Sequence, residues 1–350
     1  MRTSSPGTNA ALPLSDESGQ NILVNITAPR MVVIVLNFRT PDVTIDCLRT
    51  LADEYGRWPG FRVVLIDNAS GDNSVEAIRA AIAAENWGGW LEFRALEKNL
   101  GFAGGNNLIL HEQLLANPPP DYLLLLNSDT LVRPGCLKAC VDAMDADCSA
   151  GAMSCMLLNK DGSVQNVCRK FPRPDREAVR AFGLPWLMPS LFAWGDLEDA
   201  GWDRRAGARD VEWIGGAFLL ARSDALQRAG VFDETFFFYG EDCELCYRIW
   251  KAGYRVRFDP ATETVHLGGA SSDTKRMRNR TKDLLTWKAR FAVQRKCYGP
   301  WAEWLSRGCY ATMFSLRLAW LALRGGPRRD ADKWQQLKDG LVMVTGRLES

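Results

Sequence analysis

Tyr122-Leu123-Leu124-Leu125-Leu126-Asn127-Ser128-Asp129 is the stretch on which the fold turns. Five bulky apolar residues run from the turn signal Pro118-Pro119-Pro120 to a polar stop, the pattern of a strand buried on both faces. In open α/β sheets ligands sit outside the carboxyl ends of such strands. A carboxylate there, Asp129, stands where a hard cation and a diphosphate can meet it. The same residues also suit an Asx-turn that merely closes the strand, so the remainder of the chain has to arbitrate.

Outward from this point the chain alternates strands and helices at short intervals. Met31 to Leu36 is a β-branched run suited to a first central strand. Pro41 to Tyr55 carries Val43, Ile45, Leu48 and Leu51 at helical spacing. Phe61 to Ile66 and Leu91 to Leu96 read as further strands, with a helix from Ser74 to about Ala84 between them. A Gly-rich turn, Gly101-Phe102-Ala103-Gly104-Gly105-Asn106-Asn107, opens a helix that runs to about Leu115. Such alternation predicts an α/β fold, a mostly parallel sheet flanked by helices. Residues 169–211, rich in Arg, Pro, Trp and Gly, predict a long functional loop. Val211 to Ala221 is expected as one strand and Glu241 to Gly253 as a helix, with short strands at Val256–Phe258 and Thr264–His266.

Each early strand ends in polar residues: Asn37, then Asp67-Asn68, then Asn99 before the Gly-rich turn, then Asn127-Ser128-Asp129. Four such ends in register define a crevice along one sheet edge. Asp67 there suits hydrogen bonds from a base or ribose, or equally an Asx-turn or helix cap. The Gly-rich turn favours close approach by a phosphate at a helix start, or is a plain tight turn. It lacks the Gly-Lys-Ser/Thr of a P-loop and does not follow the first strand as GxGxxG. Phe236-Phe237-Phe238-Tyr239-Gly240-Glu241-Asp242-Cys243-Glu244 sets an aromatic run before three carboxylates. Acidic residues are favoured in a first helical turn, but an Asp beside apolar rings is also a better proton acceptor than a solvated one. Asp242 is therefore the candidate general base, with Glu241 supporting it. His266 suits an octahedral Mg²⁺ or Mn²⁺ shell together with Asp129, whereas His111, mid-helix, is expected to be structural.

Together these segments resemble a family 2 glycosyltransferase of the GT-A fold, from about Val32 to Ser271. The resemblance rests on Val35-Leu36-Asn37-Phe38, Ile66-Asp67-Asn68-Ala69-Ser70-Gly71-Asp72, Asn99-x-Gly101-Phe102-Ala103-Gly104-Gly105-Asn106, Leu126-Asn127-Ser128-Asp129, Gly215-Gly216-Ala217, Gly240-Glu241-Asp242 and His266-x-Gly268, in that order. It implies an inverting, metal-dependent transfer of a hexosyl group from a nucleotide-sugar. On that resemblance Asp67 and Asn68 hold the nucleoside beside Asn37, and Asp129 with His266 grips Mg²⁺ or Mn²⁺ and the diphosphate. Asn99, Gly104, Asn106, Asn127, Ser128 and Gly216 also border the nucleotide-sugar, and Asp242 deprotonates the acceptor hydroxyl. Asn127 departs from the first Asp of the familiar Asp-x-Asp, and Glu244 from the second Asp of Glu-Asp-x-Asp. The Asn-Ser-Asp and Gly-Glu-Asp combination is similar to bacterial rhamnosyltransferases of cell-surface polysaccharide assembly, which implies dTDP-rhamnose as donor and a glycan or lipid-linked acceptor. Two other readings compete. A nucleotidyltransferase would show a basic Gly-rich loop near the first strand, where only Arg39 stands. A non-catalytic nucleotide-sugar-binding protein would not need Asp129, Asp242 and His266 together.

The implied organisation is a disordered lead-in (1–30), a catalytic GT-A domain (31–270) and a basic helical tail (271–350). The net charge of +1 over 350 residues hides a contrast. From Ser271 onward there are 17 Lys+Arg against 7 Asp+Glu, leaving 26 against 35 before it, an acidic body and a basic tail. Trp301 to Leu323 predicts an amphipathic helix, interrupted by Arg307 and Arg317 and so unsuited to span a bilayer. It is expected to lie in an anionic membrane surface, helped by Lys275, Arg276, Arg278, Arg280 and Lys282, or else to pack on the catalytic domain or a second subunit. No nucleic-acid-binding module accompanies the charge. The N-terminus has no basic start followed by an apolar core, and the sequon Asn25-Ile26-Thr27 reads as accidental. Ten scattered cysteines, with Cys243-x-x-Cys246 the one close CxxC pair, predict reduced thiols. The expected location is cytoplasmic, peripheral on the inner face of the cell membrane.

Overall fold

A computed structural model describes residues 14–15, 21–22, 29–199, 201–236, 239–268, 279–328 and 330–346, with side chains from 285 onward in the helix that starts at 279. Most of the lead-in, the sequon, Phe237-Phe238, Gly269-Ala270-Ser271, Lys275, Arg276, Arg278 and the side chains of Arg280 and Lys282 lie outside the described residues.

The apolar runs form the middle of one twisted sheet. Strands β1 (Met31–Asn37), β2 (Phe61–Asp67), β3 (Leu91–Ala95) and β4 (Tyr122–Asn127) are mutually parallel, in the spatial order β3-β2-β1-β4. Val32 to Val35 and Leu123 to Leu126 are buried throughout, as strands covered on both faces require. Helices α1 (Pro41–Arg57), α2 (Ser74–Ala84) and α3 (Gly101–Leu114) make the crossovers. Gly105 lets α3 lie close on β1: a Cβ at that position would come within 2.8 Å of Leu36 Cδ1.

Beyond β4 the sheet turns mixed. After β5 (Thr130–Val132), α4 (Cys136–Ala146), β6 (Ala150–Leu158), β7 (Cys168–Arg169), α5 (Pro174–Ala181), β8 (Arg209–Asp210) and β9 (Trp213–Ile214) comes β10 (Phe218–Arg222), antiparallel between β4 and β6. Helices α6 (Ser223–Ala229) and α7 (Glu241–Lys251) lead to β11 (Arg255–His266), which runs parallel to β6 and pairs with β5 and β8 at its outer side.

Three expectations need correction here. Val211 to Ala221 is not one strand: Trp213–Ile214 pairs with β7 in a small separate sheet, and Gly215-Gly216-Ala217 carries the chain across to β10. Residues 169–211 are not one loop, since they hold α5 and two single-turn helices, Leu184–Leu187 and Pro189–Phe192. The two short strands at 256–258 and 264–266 are one strand, β11, with a register shift between Asp259 and Glu263 that breaks the alternation of its side chains.

The C-terminal region is three helices, α8 (Asn279–Tyr298), α9 (Pro300–Leu323) and α10 (Ala331–Thr345). They pack on the body. Tyr298 meets Tyr247 of α7 edge-on at 5.4 Å. Tyr310 donates to the buried Glu177 of α5 at 2.7 Å and accepts from Arg290 at 2.9 Å. Ala181, Phe291, Tyr310, Met313 and Val344 form a second small core there. Among the described residues no helix is long and apolar enough to cross a membrane. All ten cysteines are free, and Cys136, Cys140 and Cys155 gather in the core beside the hydroxyls of Thr262 and Thr264.

Candidate functional site

The parallel strands β1, β2 and β4 end at one edge because they share a register: Asn37 lies opposite Asp67, and Leu36 opposite Asn127. Antiparallel β10 begins at that edge, where Asn127 N–H donates to Ala217 O at 3.0 Å.

On β1 and β2 the polar ends are tied to one another. Asp67 accepts from Ser70 N–H (3.0 Å), the Ser70 hydroxyl (2.5 Å) and Asn37 Nδ2 (2.7 Å). The Asn37 carbonyl oxygen accepts from Thr44 Oγ1 at 2.8 Å. Asn37, fully buried, is thus spent on fixing Asp67 rather than offered to the crevice. Asn68 works similarly on the Gly-rich turn, donating to Asn99 Oδ1 and Gly101 O at 3.0 Å each and accepting from Leu100 N–H at 2.9 Å. Asn99 caps the same turn by accepting from Gly101 N–H at 2.8 Å. Gly101, at φ +71°, begins α3 itself. Gly104 lies inside the first turn, and Asn106 is buried with its amide on Phe102 O at 2.8 Å. The Gly-rich segment is therefore mostly helix, with Asn106 turned onto the helix's own backbone.

At the end of β4 the chain brings two distant ligand types together. His266, the last residue of β11, pairs with Thr130 of β5, so its ring comes back over Asp129. His266 Nε2 lies 3.1 Å from Asp129 Oδ1 and 3.3 Å from Asn127 Nδ2. Its Nδ1 is 2.6 Å from Gln165 Oε1, and Gln165 Nε2 in turn donates to Asn159 Oδ1 at 2.9 Å. With the Gln165 amide so oriented, Nδ1 donates to it, and Nε2 faces both the Asp129 carboxylate and the Asn127 amide. The oxygen-plus-imidazole donor set, with Nδ1 anchored from behind, fits a divalent ion such as Mg²⁺ or Mn²⁺. Ser128 is buried beside Asp129.

Asp242 opens α7 at the same edge. Its Oδ2 accepts from Gly216 N–H at 3.1 Å and its Oδ1 from Cys243 N–H at 2.8 Å. Gly216 is held against the Phe102 ring, 3.4 Å from where a Cβ would stand. Burial raises the Asp242 carboxyl above its ordinary value, while the two N–H donors and the Arg169 charge oppose the rise. Next to it Glu241 is pushed up to about 8, by burial first and the Asp242 charge second. Glu241 Oε2 is buried with no hydrogen-bond partner among the described residues. The proton of this pair therefore rests on Glu241, and the charge on Asp242, where N–H groups receive it. Glu244 takes no part: it is clamped to Arg248 at 2.7 Å, and Arg248 also donates to Ala229 O and Val231 O.

Glu241 also gives a stability prediction. A carboxyl raised in the folded state from 4.5 to about 8 contributes stability that is complete below pH 4.5 and is lost as pH rises toward 8. Glu241→Gln lacks that loss. It should be more stable than the parent by on the order of 1–3 kcal/mol at pH 9, with little difference at pH 4. Thermal unfolding at both pH values checks this; a difference that does not grow with pH would mean Glu241 is charged in the folded protein.

Sequence patterns pointed to Asp129, His266, Gly216 and Asp242, and the fold brings these to one edge. They gave no sign of Gln165, Thr44 or Arg169, and Ser70 stood only inside the motif that follows β2, without the role of fixing Asp67. His111 is exposed on α3, away from these contacts.

Comparison with known proteins identifies the family and the fold. The family described as Glycosyl transferase family 2 matches residues 32–190, and the related Glycosyl transferase family group 2 matches residues 195–329. The chain belongs to the family 2 glycosyltransferases, and rhamnosyltransferases are among the proteins it is similar to. An N-acetylglucosaminyl-diphospho-decaprenol L-rhamnosyltransferase of Mycobacterium tuberculosis is 30% identical over 146 residues, covering 42% of this chain and 47% of the relative. Rhamnosyltransferase WbbL of Escherichia coli is 26% identical over 172 residues, 47% of this chain and 60% of the relative. This chain thus spans about half the length of the first of these relatives. Among solved structures, the mannosyltransferase PcManGT from Pyrobaculum calidifontis, in complex with GDP-Man and Mn2+, superposes with a TM-score of 0.52 at 18% identity over 93% of this chain and 89% of that one. The likeness establishes a shared GT-A fold.

Proposed function

We propose that this chain is an inverting glycosyltransferase that moves a sugar from a nucleotide-sugar to a hydroxyl of a lipid-linked or glycan acceptor in cell-surface polysaccharide assembly. The carrying observation is the Gly216 N–H bond to Asp242 next to the Asn127–Ala217 pairing. Through it the candidate base shares one sheet edge with Asp129 and His266. In this reading Asp67, held by Asn37 and Ser70, receives the nucleoside, with Asn68 and Asn99 shaping the turn beside it. Asn127 and Ser128 line the strand end near the diphosphate, and Asp129 and His266 hold the divalent ion, Mg²⁺ or Mn²⁺. When bound, that ion neutralises the departing diphosphate. Asp242 takes the proton from the acceptor hydroxyl, so the oxygen attacks the anomeric carbon as the bond to diphosphate breaks. A single displacement inverts the anomeric centre, the same stereochemical logic that governs inverting carboxylate enzymes.

The names of the Mycobacterium and Escherichia relatives favour rhamnose, and the former favours a lipid diphosphate acceptor; dTDP-rhamnose is the donor that the sequence resemblance implies. The free thiols suit a reducing, cytoplasmic location. Thermal unfolding of the purified chain with dTDP-rhamnose, GDP-mannose or UDP-N-acetylglucosamine, each with and without Mn²⁺, tests the reading. Stabilisation by dTDP-rhamnose of about 2.7 kcal/mol at a concentration 100 times the Kd is expected, and less without metal. If a different donor alone stabilises, rhamnose is wrong. If none does, the nucleotide-sugar reading fails.

A further inference from the structure

Helix α9 packs one side and leaves the other bare. Its inward side carries Glu303, which binds Arg295 and Arg307 at 2.6 and 2.8 Å, and Tyr310 on Glu177. Its outward side carries Trp301, Trp304, Leu305, Leu316, Trp320 and Leu323, exposed by 44–89%. At 100° per residue these six fall on one side of the helix. The residues between them on that side, Gly308, Thr312, Ser315 and Ala319, are exposed and uncharged. The result is an uncharged strip with two apolar clusters, Trp301/Trp304/Leu305 and Leu316/Trp320/Leu323, separated by Gly308, Thr312 and Ser315. Two such clusters on one helix face mark an interaction surface rather than scattered surface leucines.

We propose that this face of α9 seats the protein in an anionic bilayer surface. Three observations select that occupant. The strip holds three tryptophans, side chains that favour the boundary between headgroups and acyl chains. Cations border it: Arg324 stands 4.2 Å over the Trp320 ring, and Arg317 is exposed one turn earlier. The segment from 271 onward has 17 Lys+Arg against 7 Asp+Glu. A second copy of the same face would bring its Arg317 and Arg324 toward like charge, whereas an anionic lipid surface complements them. A further apolar surface, with Trp186 and Leu191 each 61% exposed, stands on the turns after α5, the helix on which α9 packs. The inference rests on the lipid-linked acceptor of the proposed function, because an enzyme acting on such an acceptor works at a bilayer.

The test is co-sedimentation of the full chain with vesicles of phosphatidylcholine alone and of phosphatidylcholine with phosphatidylglycerol. The parent should bind the anionic vesicles, and binding should fall about tenfold or more between low salt and high salt, leaving a residue that salt does not remove. The double variant Trp304→Glu/Leu316→Glu should lose at least about tenfold in vesicle affinity. Leu115→Glu, at an equally exposed leucine at the far end of α3, should bind like the parent. Circular dichroism and donor hydrolysis without lipid should be unchanged in all three. Absence of vesicle binding by the parent overturns the proposal. So does a concentration-dependent dimer in sedimentation equilibrium that the double variant abolishes, since a second copy would then cover the face. Donor stabilisation in lipid-free buffer is read separately, so failure here is distinct from failure of the glycosyltransferase reading.

Discussion

Asp242→Asn should reduce sugar transfer by about two to four orders of magnitude while leaving nucleotide-sugar affinity within about twofold of the parent. The substitution keeps the size of the side chain and an oxygen for Gly216 N–H or Cys243 N–H, the two groups that fix it. What it removes is the anionic lone pair that takes up the acceptor proton. A base works on the acceptor in the transition state and has no part in donor binding, so the loss belongs in kcat and not in donor Kd. Single-turnover transfer and calorimetric donor titration separate the two. Near-parental turnover would end the assignment of Asp242. A large loss of donor affinity would instead mean that Asp242 touches the sugar-nucleotide directly. Glu241→Gln is the useful companion, because it keeps Asp242 and replaces the group that holds the proton. Its transfer rate should stay within about tenfold of the parent.

Asp129→Ala and His266→Ala are each expected to weaken the metal dependence of donor binding by about ten- to a hundredfold, read as a shift in the Mn²⁺ concentration for half-maximal donor stabilisation. Each removes one of two groups that now stand 3.1 Å apart. Gln165→Ala should produce a smaller shift in the same direction, since it frees the Nδ1 side of the ring but leaves the ligand atom in place. Were neither ligand variant to alter metal dependence, His266 would be a structural partner of Asp129 and the ion, if any, would bind elsewhere. A result in which only Asp129 matters would fit a site that relies on one carboxylate, as Asn127 in place of an Asp would suggest.

How much of this was visible along the chain depends on the range of the interaction. The central strands were legible because burial on both faces leaves little room for polar residues, and apolar runs at 31–36, 63–66 and 122–126 record that directly. Their polar ends were legible for the same reason, since each run must stop where the sheet meets solvent or ligand. Val211 to Ala221 looked continuous because β-propensity does not say which partner a strand chooses; pairing split it between β7 and β4. In β11 the register shift after Asp259 erased the period that would have joined its two halves. Residues 169–211 lacked a strong period because α5 is only two turns long and shares its burial with α9.

The order of polar strand ends, the general-base candidate at the start of α7 and the charge contrast between body and tail were determined by sequence alone, since each depends on residue type and near-neighbour spacing. Tertiary structure alone decided that Asn37 serves Asp67, that Gln165 orients His266 from 101 positions away, and that Gly216 receives Asp242. It also decided that α9 both packs on α5 and turns apolar clusters outward. An amphipathic pattern tells that a helix has two faces, but only the packing of its neighbours determines which face is covered.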